Sequence, residues 1–312
     1  MRVQVVRFFK NSPALVLLTY LLFVFLGAAL IAPFAAWGLE YLADHVSFLQ
    51  KELESIPFHR IVNRCLIFLA LAGLWPMLKA LQVASLERLG WKVPKKISRQ
   101  LVFGFSFGLP VVLVALLINL GMGRAELAND FKSLQNTLSV VGGALLSAVV
   151  VAALEETLFR GALMTALRRA YGLKTAFLLS SAIYAITHFF AKPVNPQTIQ
   201  LWSGFSILFQ MFKGLVCWQN VIPGFLNLFM VGLLLATLFY RMGGLWASMA
   251  AHASWVFLLK TKGLFISHIS GPYSWFFGTS NLIDGWLASI LLLIFVFLAY
   301  KFLPVCRQEH LS

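Results

Sequence analysis

The chain is short of charge, shorter still of acid and nearly without cysteine, and each shortage excludes a class of protein. Of its 312 residues 12% are charged and only 11 are Asp or Glu, whereas soluble globular domains carry roughly 25% charged residues. With 60% of the residues hydrophobic, a soluble fold could not cover its own apolar surface. Cys65, Cys217 and Cys306 stand far apart without metal-ligand spacing, so neither a disulfide framework nor a zinc ribbon is indicated. Internal repeats, low-complexity tracts and a soluble domain are missing as well. The net charge of +14 does not read as nucleic-acid binding. The basic residues lie in short loops beside apolar runs and form no aromatic-interleaved patch, which makes them topology signals.

What the chain has is long apolar runs. A hydrocarbon core about 30 Å thick is crossed by a helix of about 20 apolar residues, and the sequence predicts eight such spans, at 14–38, 64–83, 101–121, 136–168, 173–190, 222–241, 243–260 and 282–303. Lipid offers no partner to unpaired backbone amides, and runs this long do not alternate as barrel strands do. The expected fold is therefore all-α, a polytopic membrane protein. Arg2, Arg7 and Lys10 precede the first run as in a signal peptide, but the run is too long for one and is read as a retained first span.

With a cytoplasmic N-terminus, eight crossings return the C-terminus to the cytoplasm, and the inner side collects the larger share of Lys and Arg. The loop from Glu87 to Arg99, with Lys92, Lys95 and Lys96, is the strongest anchor of that topology. Three regions follow: 1–134 with the first three spans, a core over 135–260 with the next four, and 261–312 with the last span and a tail. The mixed stretch from Lys192 to Pro223, with Gly204 and Gly214 inside it, reads as a surface-lying helix, a re-entrant element or a plain connecting loop.

Apart from Asp284 at the outer edge of the eighth span, Glu155 and Glu156 are the only acidic residues inside the apolar spans. A charged carboxylate at that depth costs at least a few kcal/mol, and two neighbours repel, so partners are required. Arg160 follows Glu156 by four residues and shares its helical face. Glu155, turned by about 100°, is left for other groups. His188 and His252 lie in other spans. Counted at about 1.5 Å per residue from the inferred cytoplasmic ends, His252 is about 14 Å deep and Glu155 and His188 are both beyond about 20 Å, which lets them share one layer. His45, His59, His268 and His310 fall in loops or tails.

A carboxylate and an imidazole facing a wet pocket can hold and deprotonate water, and a second imidazole can donate to a developing oxyanion. The same groups, Glu155, His188 and His252, would equally serve as zinc ligands, and the residues alone leave both chemistries open. Each piece also has a structural reading: an intramembrane His as a helix-to-helix hydrogen-bond partner, Glu156 with Arg160 as a buried clamp, and Tyr184 as packing rather than as a group that orients His188.

In sequence, Glu155-Glu156-Thr157-Leu158-Phe159-Arg160-Gly161 fits an EExxxR motif, Tyr184 to His188 resembles FxxxH, and Gly243 to Trp255 resembles a third motif in which a histidine, here His252, is followed four positions later by Asn or Asp. In order and spacing these resemble the CPBP family (CAAX protease and bacteriocin-processing, or Abi) of intramembrane proteases. The resemblance implies an eight-helix intramembrane fold and peptide-bond hydrolysis of a membrane-associated or lipidated substrate, in which Glu155 and His188 activate water, His252 helps form the oxyanion site, and Glu156 and Arg160 support them. Lipid and a membrane-associated peptide are the expected partners, nucleic acid is not, and a bacterial inner membrane is the expected location.

Two positions depart from the pattern. Tyr184 replaces Phe, which keeps the ring. Val256 replaces the polar residue of the third motif, and losing one oxyanion donor typically costs about 3 kcal/mol, roughly 100-fold in rate. Either another group substitutes, with Asn227 in the sixth span as the candidate, or the protein is an impaired homologue acting as a membrane scaffold or immunity factor. A proton-coupled transporter is a third reading, opposed by the lack of repeated halves.

Overall fold

The computed structural model describes residues 13–46, 56–128, 133–190, 193–213, 218–269, 271–279, 282 and 284–305. Arg2, Arg7, Lys10, Cys217, Cys306, His310 and both chain ends, whose side of the membrane the sequence predicts, lie outside them. The chain is an all-α integral membrane protein. Among the described residues five helical stretches are long and apolar enough to cross a bilayer, Pro13–His45, Phe58–Ala80, Ile97–Gly121, Leu134–Tyr171 and Ile222–Met242, and two shorter apolar ones span Leu173–Ile186 and Trp286–Phe302. Packing groups them into two compact units, 1–84 with 189–218 and 85–188 with 219–312.

The first unit holds α1 (Pro13–His45), α2 (Phe58–Ala80) and, after an excursion of the chain through the other unit, a short helix at Ser203–Lys213. On α1 the small residues Ala28, Ala29, Ala32 and Ala36 are buried, while Leu18, Leu22, Leu26, Leu30 and Phe34 are exposed at four-residue spacing. In water that stripe would drive aggregation; in a bilayer it is the lipid-facing side. A Cβ at Gly204 would stand 2.0 Å from the Ala29 carbonyl oxygen, so only glycine permits that crossing. The Ser203–Lys213 helix, whose eleven residues span about 16 Å, cannot cross the membrane. It inserts Ile207, Leu208 and Met211 among Ala29, Ala32 and Val62. A plain loop is thus ruled out for this part of the mixed stretch, since its residues at four-residue spacing supply one apolar face.

The second unit contains the residues of interest. Its elements are α3 (Ile97–Gly121), β1 (Ala125–Leu127), α4 (Leu134–Glu156), α5 (Thr165–Tyr171), α6 (Leu173–Thr187), then, with the Ser203–Lys213 helix counted as α7, α8 (Trp218–Met242), α9 (Leu245–Thr261), β2 (Ile266–Ile269), α10 (Ser274–Phe277) and α11 (Trp286–Phe302). Between α4 and α5 the helix continues without a break as a π-helix over Thr157–Met164. β1 and β2 pair antiparallel, with Ala125 opposite Ile269 and Glu126 opposite His268.

Helix α9 is buried on nearly every side, at Leu245, Ala247, Ser248, Ala250, Ala251, His252, Ser254 and Trp255, as expected for a helix at the centre of a bundle. Two neighbours approach it through small residues. On α3, Cβ atoms at Gly104 and Gly108 would stand 2.4 Å from the Ala247 carbonyl oxygen and 2.2 Å from Ser254 Oγ; these glycines, four residues apart, let the backbones meet. On α4, Ala144, Ala148, Ala152 and Glu156 are the buried residues. They form a stripe at four-residue spacing that ends in a carboxylate aimed into the bundle.

Candidate active site

Helix geometry brings Glu156 to the end of the alanine stripe with no exposed side-chain surface, while Glu155, one position back, keeps 30% of its side chain exposed. The fully buried carboxylate is held from two sides. Arg160 Nε stands 3.4 Å from Glu156 Oε2, and His252 Nδ1 stands 3.0 Å from Glu156 Oε1. A carboxylate can only accept, so the proton of that contact belongs to Nδ1 of His252. Arg160 in turn donates from Nη2 to the Gly232 carbonyl at 3.3 Å, and its guanidinium lies over the Tyr184 ring, 4.6 Å from the centroid.

His188 is fixed by a helix end. It is the C-terminal cap of α6, where the last carbonyls lack helical partners, and its Nδ1 lies 2.8 Å from the Tyr184 carbonyl oxygen. That oxygen also accepts from Thr187 Oγ1 at 2.7 Å. A carbonyl too can only accept, so His188 is protonated on Nδ1 and turns Nε2 away from the helix end.

Both free Nε2 atoms face one oxygen. Glu155 Oε2 is 3.9 Å from Nε2 of His188 and 3.8 Å from Nε2 of His252, and it makes no hydrogen bond to protein. The three side chains that sequence spacing could only assign to one layer thus converge on a point. Tyr184 is the wall behind them, 2% exposed, with its ring 4.6 Å from that of His188 and 6.2 Å from that of His252.

A cavity of about 200 Å³ adjoins the cluster, lined by Tyr184, His188 and His252 and by the apolar Trp255, Leu228 and Leu292. Val256 lines it too, so the departure from the third motif faces the site. Asn227, the residue expected to compensate, does not. It is fully buried, its amide donates to the Gly285 carbonyl at 3.0 Å, and its oxygen accepts from Ser289 Oγ. Its polar atoms are used to tie α8 to the start of α11, which corrects the expectation that it supplies an oxyanion donor.

Zinc fits poorly. Two ligands at about 2.0 Å from a tetrahedral ion lie about 3.3 Å apart, closer than the 3.8 and 3.9 Å found here, and no cluster of three His, Cys, Asp or Glu among the described residues groups as a metal site. The metalloprotease expectation therefore lacks support from the donor geometry.

Sequence reasoning missed several supports. Trp91 Nε1 donates to Thr157 Oγ1 at 3.1 Å, and a Cβ on Gly161 would stand 2.7 Å from the Leu89 carbonyl oxygen, so the loop before α3 clasps the π-helical stretch next to the glutamates. Trp255 Nε1 donates to the Gly108 carbonyl at 2.6 Å. Gly232 lets α8 approach Ser181 of α6, where a Cβ would stand 2.8 Å from the serine Cβ. The only local signal for these was the presence of glycine in apolar spans. π-Helical turns are rare and recur at functional sites.

Residues 137–258 match the family model of the Rce1-like type II CAAX prenyl endopeptidases. The matched family is the CPBP family, the one that the three motifs resemble. The matched residues enclose every element that contributes to the cluster, from the glutamate pair to Val256. Neither curated proteins nor solved structures give a match. The CPBP match implies a CAAX-type protease kind of enzyme.

Proposed function

We propose that this protein is an intramembrane endopeptidase that hydrolyses a peptide bond of a membrane-associated substrate with a water activated by Glu155 and His188. The observation that carries the reading is the position of Glu155 Oε2 opposite both Nε2 atoms, at 3.9 and 3.8 Å, distances that one water hydrogen-bonded to the carboxylate and an imidazole spans. Glu155 takes one proton from that water, His188 Nε2 accepts a hydrogen bond from the remaining O–H, and the hydroxide oxygen bonds to the substrate carbonyl carbon, whose π electrons move onto the carbonyl oxygen. The proton on Glu155 then passes to the leaving amine as the C–N bond breaks.

His252 faces the same space as the water-activating pair, with Nε2 3.8 Å from Glu155 Oε2. To donate through Nε2 while its Nδ1–H is given to Glu156, His252 must carry a proton on both ring nitrogens. That imidazolium, steadied by Glu156, is the donor to the developing oxyanion. The CPBP match and the apolar cavity support a lipidated or membrane-tethered peptide as substrate.

Val256 favours a second reading, an impaired homologue that binds a membrane partner in the same cleft. Cleavage of a membrane-tethered peptide by purified protein separates the two. Glu155→Gln should abolish cleavage by a folded wild-type enzyme, a loss of about 10²–10⁴-fold. Retained cleavage by the variant removes Glu155 from the mechanism, and a wild type without cleavage favours the binding role.

A further inference from the structure

A second cavity, about 610 Å³, lies among α6, α8 and α11 and shares no lining residue with the one beside the glutamates. Its wall is mostly aliphatic and aromatic, including Phe177, Leu178, Leu233, Leu293 and Val296. Its polar lining gathers at one end. Lys174 is the second residue of α6, Arg241 the last but one of α8, and Tyr300 falls in the last turn of α11. Leu233 lies eight residues before Arg241 and Leu293 seven before Tyr300, placing the apolar floor about 10–12 Å deeper along the helices.

Among the described residues the two cations lack an acidic partner. No carboxylate lines the cavity, and neither Lys174 nor Arg241 makes a salt bridge among the described residues. Arg241 is oriented by its donation to the Leu303 carbonyl at 3.1 Å and by the Tyr300 ring beneath it, 4.6 Å from the guanidinium carbon, and its Nε is buried without a hydrogen-bond partner. Positive groups at helix ends above a deep apolar trough match a lipid with an anionic head and a hydrocarbon tail, both in charge and in depth.

We propose that this groove binds one anionic phospholipid, with its phosphate on Lys174 and Arg241 and an acyl chain along Phe177, Leu233 and Val296. The site bears on the catalytic cluster through the same helices, since α6 ends at His188 and α8 supplies the Gly232 carbonyl that receives Arg160.

Native mass spectrometry of the full chain in detergent, titrated with phosphatidylglycerol and with phosphatidylcholine of identical acyl chains, tests it. Phosphatidylglycerol should bind at least about tenfold more tightly. Lys174→Gln should weaken it about fivefold, and Lys174→Gln with Arg241→Gln about 25-fold, following the contribution of one basic residue near a charged membrane surface. Lys174→Arg should leave it unchanged. Equal binding of the two lipids, undiminished binding by Lys174→Gln, or displacement of the lipid by inorganic phosphate at equal concentration would each overturn the proposal. Lys174 is exposed, so its substitution leaves the fold intact and carries the test even where the Arg241 change does not.

Discussion

Arg160 stands 3.4 Å from Glu156, and the two side chains are 1% and 0% exposed. Such a pair contributes little beyond what apolar residues of equal volume would, but breaking it leaves a buried charge without compensation. Arg160→Leu is therefore expected to destabilise the protein by about 3–5 kcal/mol, read as a lowered unfolding midpoint in detergent, while Arg160→Leu with Glu156→Leu recovers much of the loss. An Arg160→Leu protein as stable as wild type would contradict the buried-pair account.

Val256 lines the same cavity as His188 and His252. Val256→Asn would place an amide donor there at nearly constant volume, and the cleavage rate should rise, by up to about 100-fold if the missing donor limits the reaction. An unchanged or lower rate would mean that His252 already meets the demand of the oxyanion.

Metal removal is expected to leave activity intact. Prolonged chelation should not change the cleavage rate, and elemental analysis of active protein should find well under one zinc per chain. Loss of activity restored by added zinc would make Glu155, His188 and His252 ligands and reassign their roles.

The α3–α9 contact requires glycine at 108, where a Cβ would stand 2.2 Å from Ser254 Oγ and 2.7 Å from the Ala251 carbonyl oxygen. Gly108→Val should cost about 1–3 kcal/mol by overpacking and loosen the helix that carries His252. Gly142→Ala, with nothing within 4 Å of the added atom, serves as the control and should be neutral or stabilising by up to about 1 kcal/mol. Equal unfolding midpoints for the two variants would refute the close-packing argument.

Whatever rests on helical period was legible in the sequence. Glu156 and Arg160 pair because four residues make about one turn, and Glu155 is free for the histidines because one residue turns it by about 100°. Burial in lipid also made His188 and His252 conspicuous, since few polar groups are tolerated there. What stayed hidden depends on where neighbouring helices lie. Asn227 sits in an apolar span, but only the position of α11 decides that its amide meets Gly285 and Ser289 rather than the cavity. The depth count separated His252 from Glu155 by several ångströms because it treats every helix as straight and normal to the membrane, whereas packing brings their side chains to 3.8 Å. The π-helix at Thr157–Met164 and the three- and four-residue strands β1 and β2 are set by tertiary contacts that a local pattern does not encode.

The central claim is that Glu155 and His188 act on one water as a unit, and a double-mutant cycle on kcat tests it most directly. Glu155→Gln, His188→Ala and the double variant should lose cleavage of a membrane-tethered peptide to about the same extent, because removing either partner disables the shared water and the second removal adds little. Losses that multiply in the double variant, or a Glu155→Gln enzyme that still turns over, would contradict it.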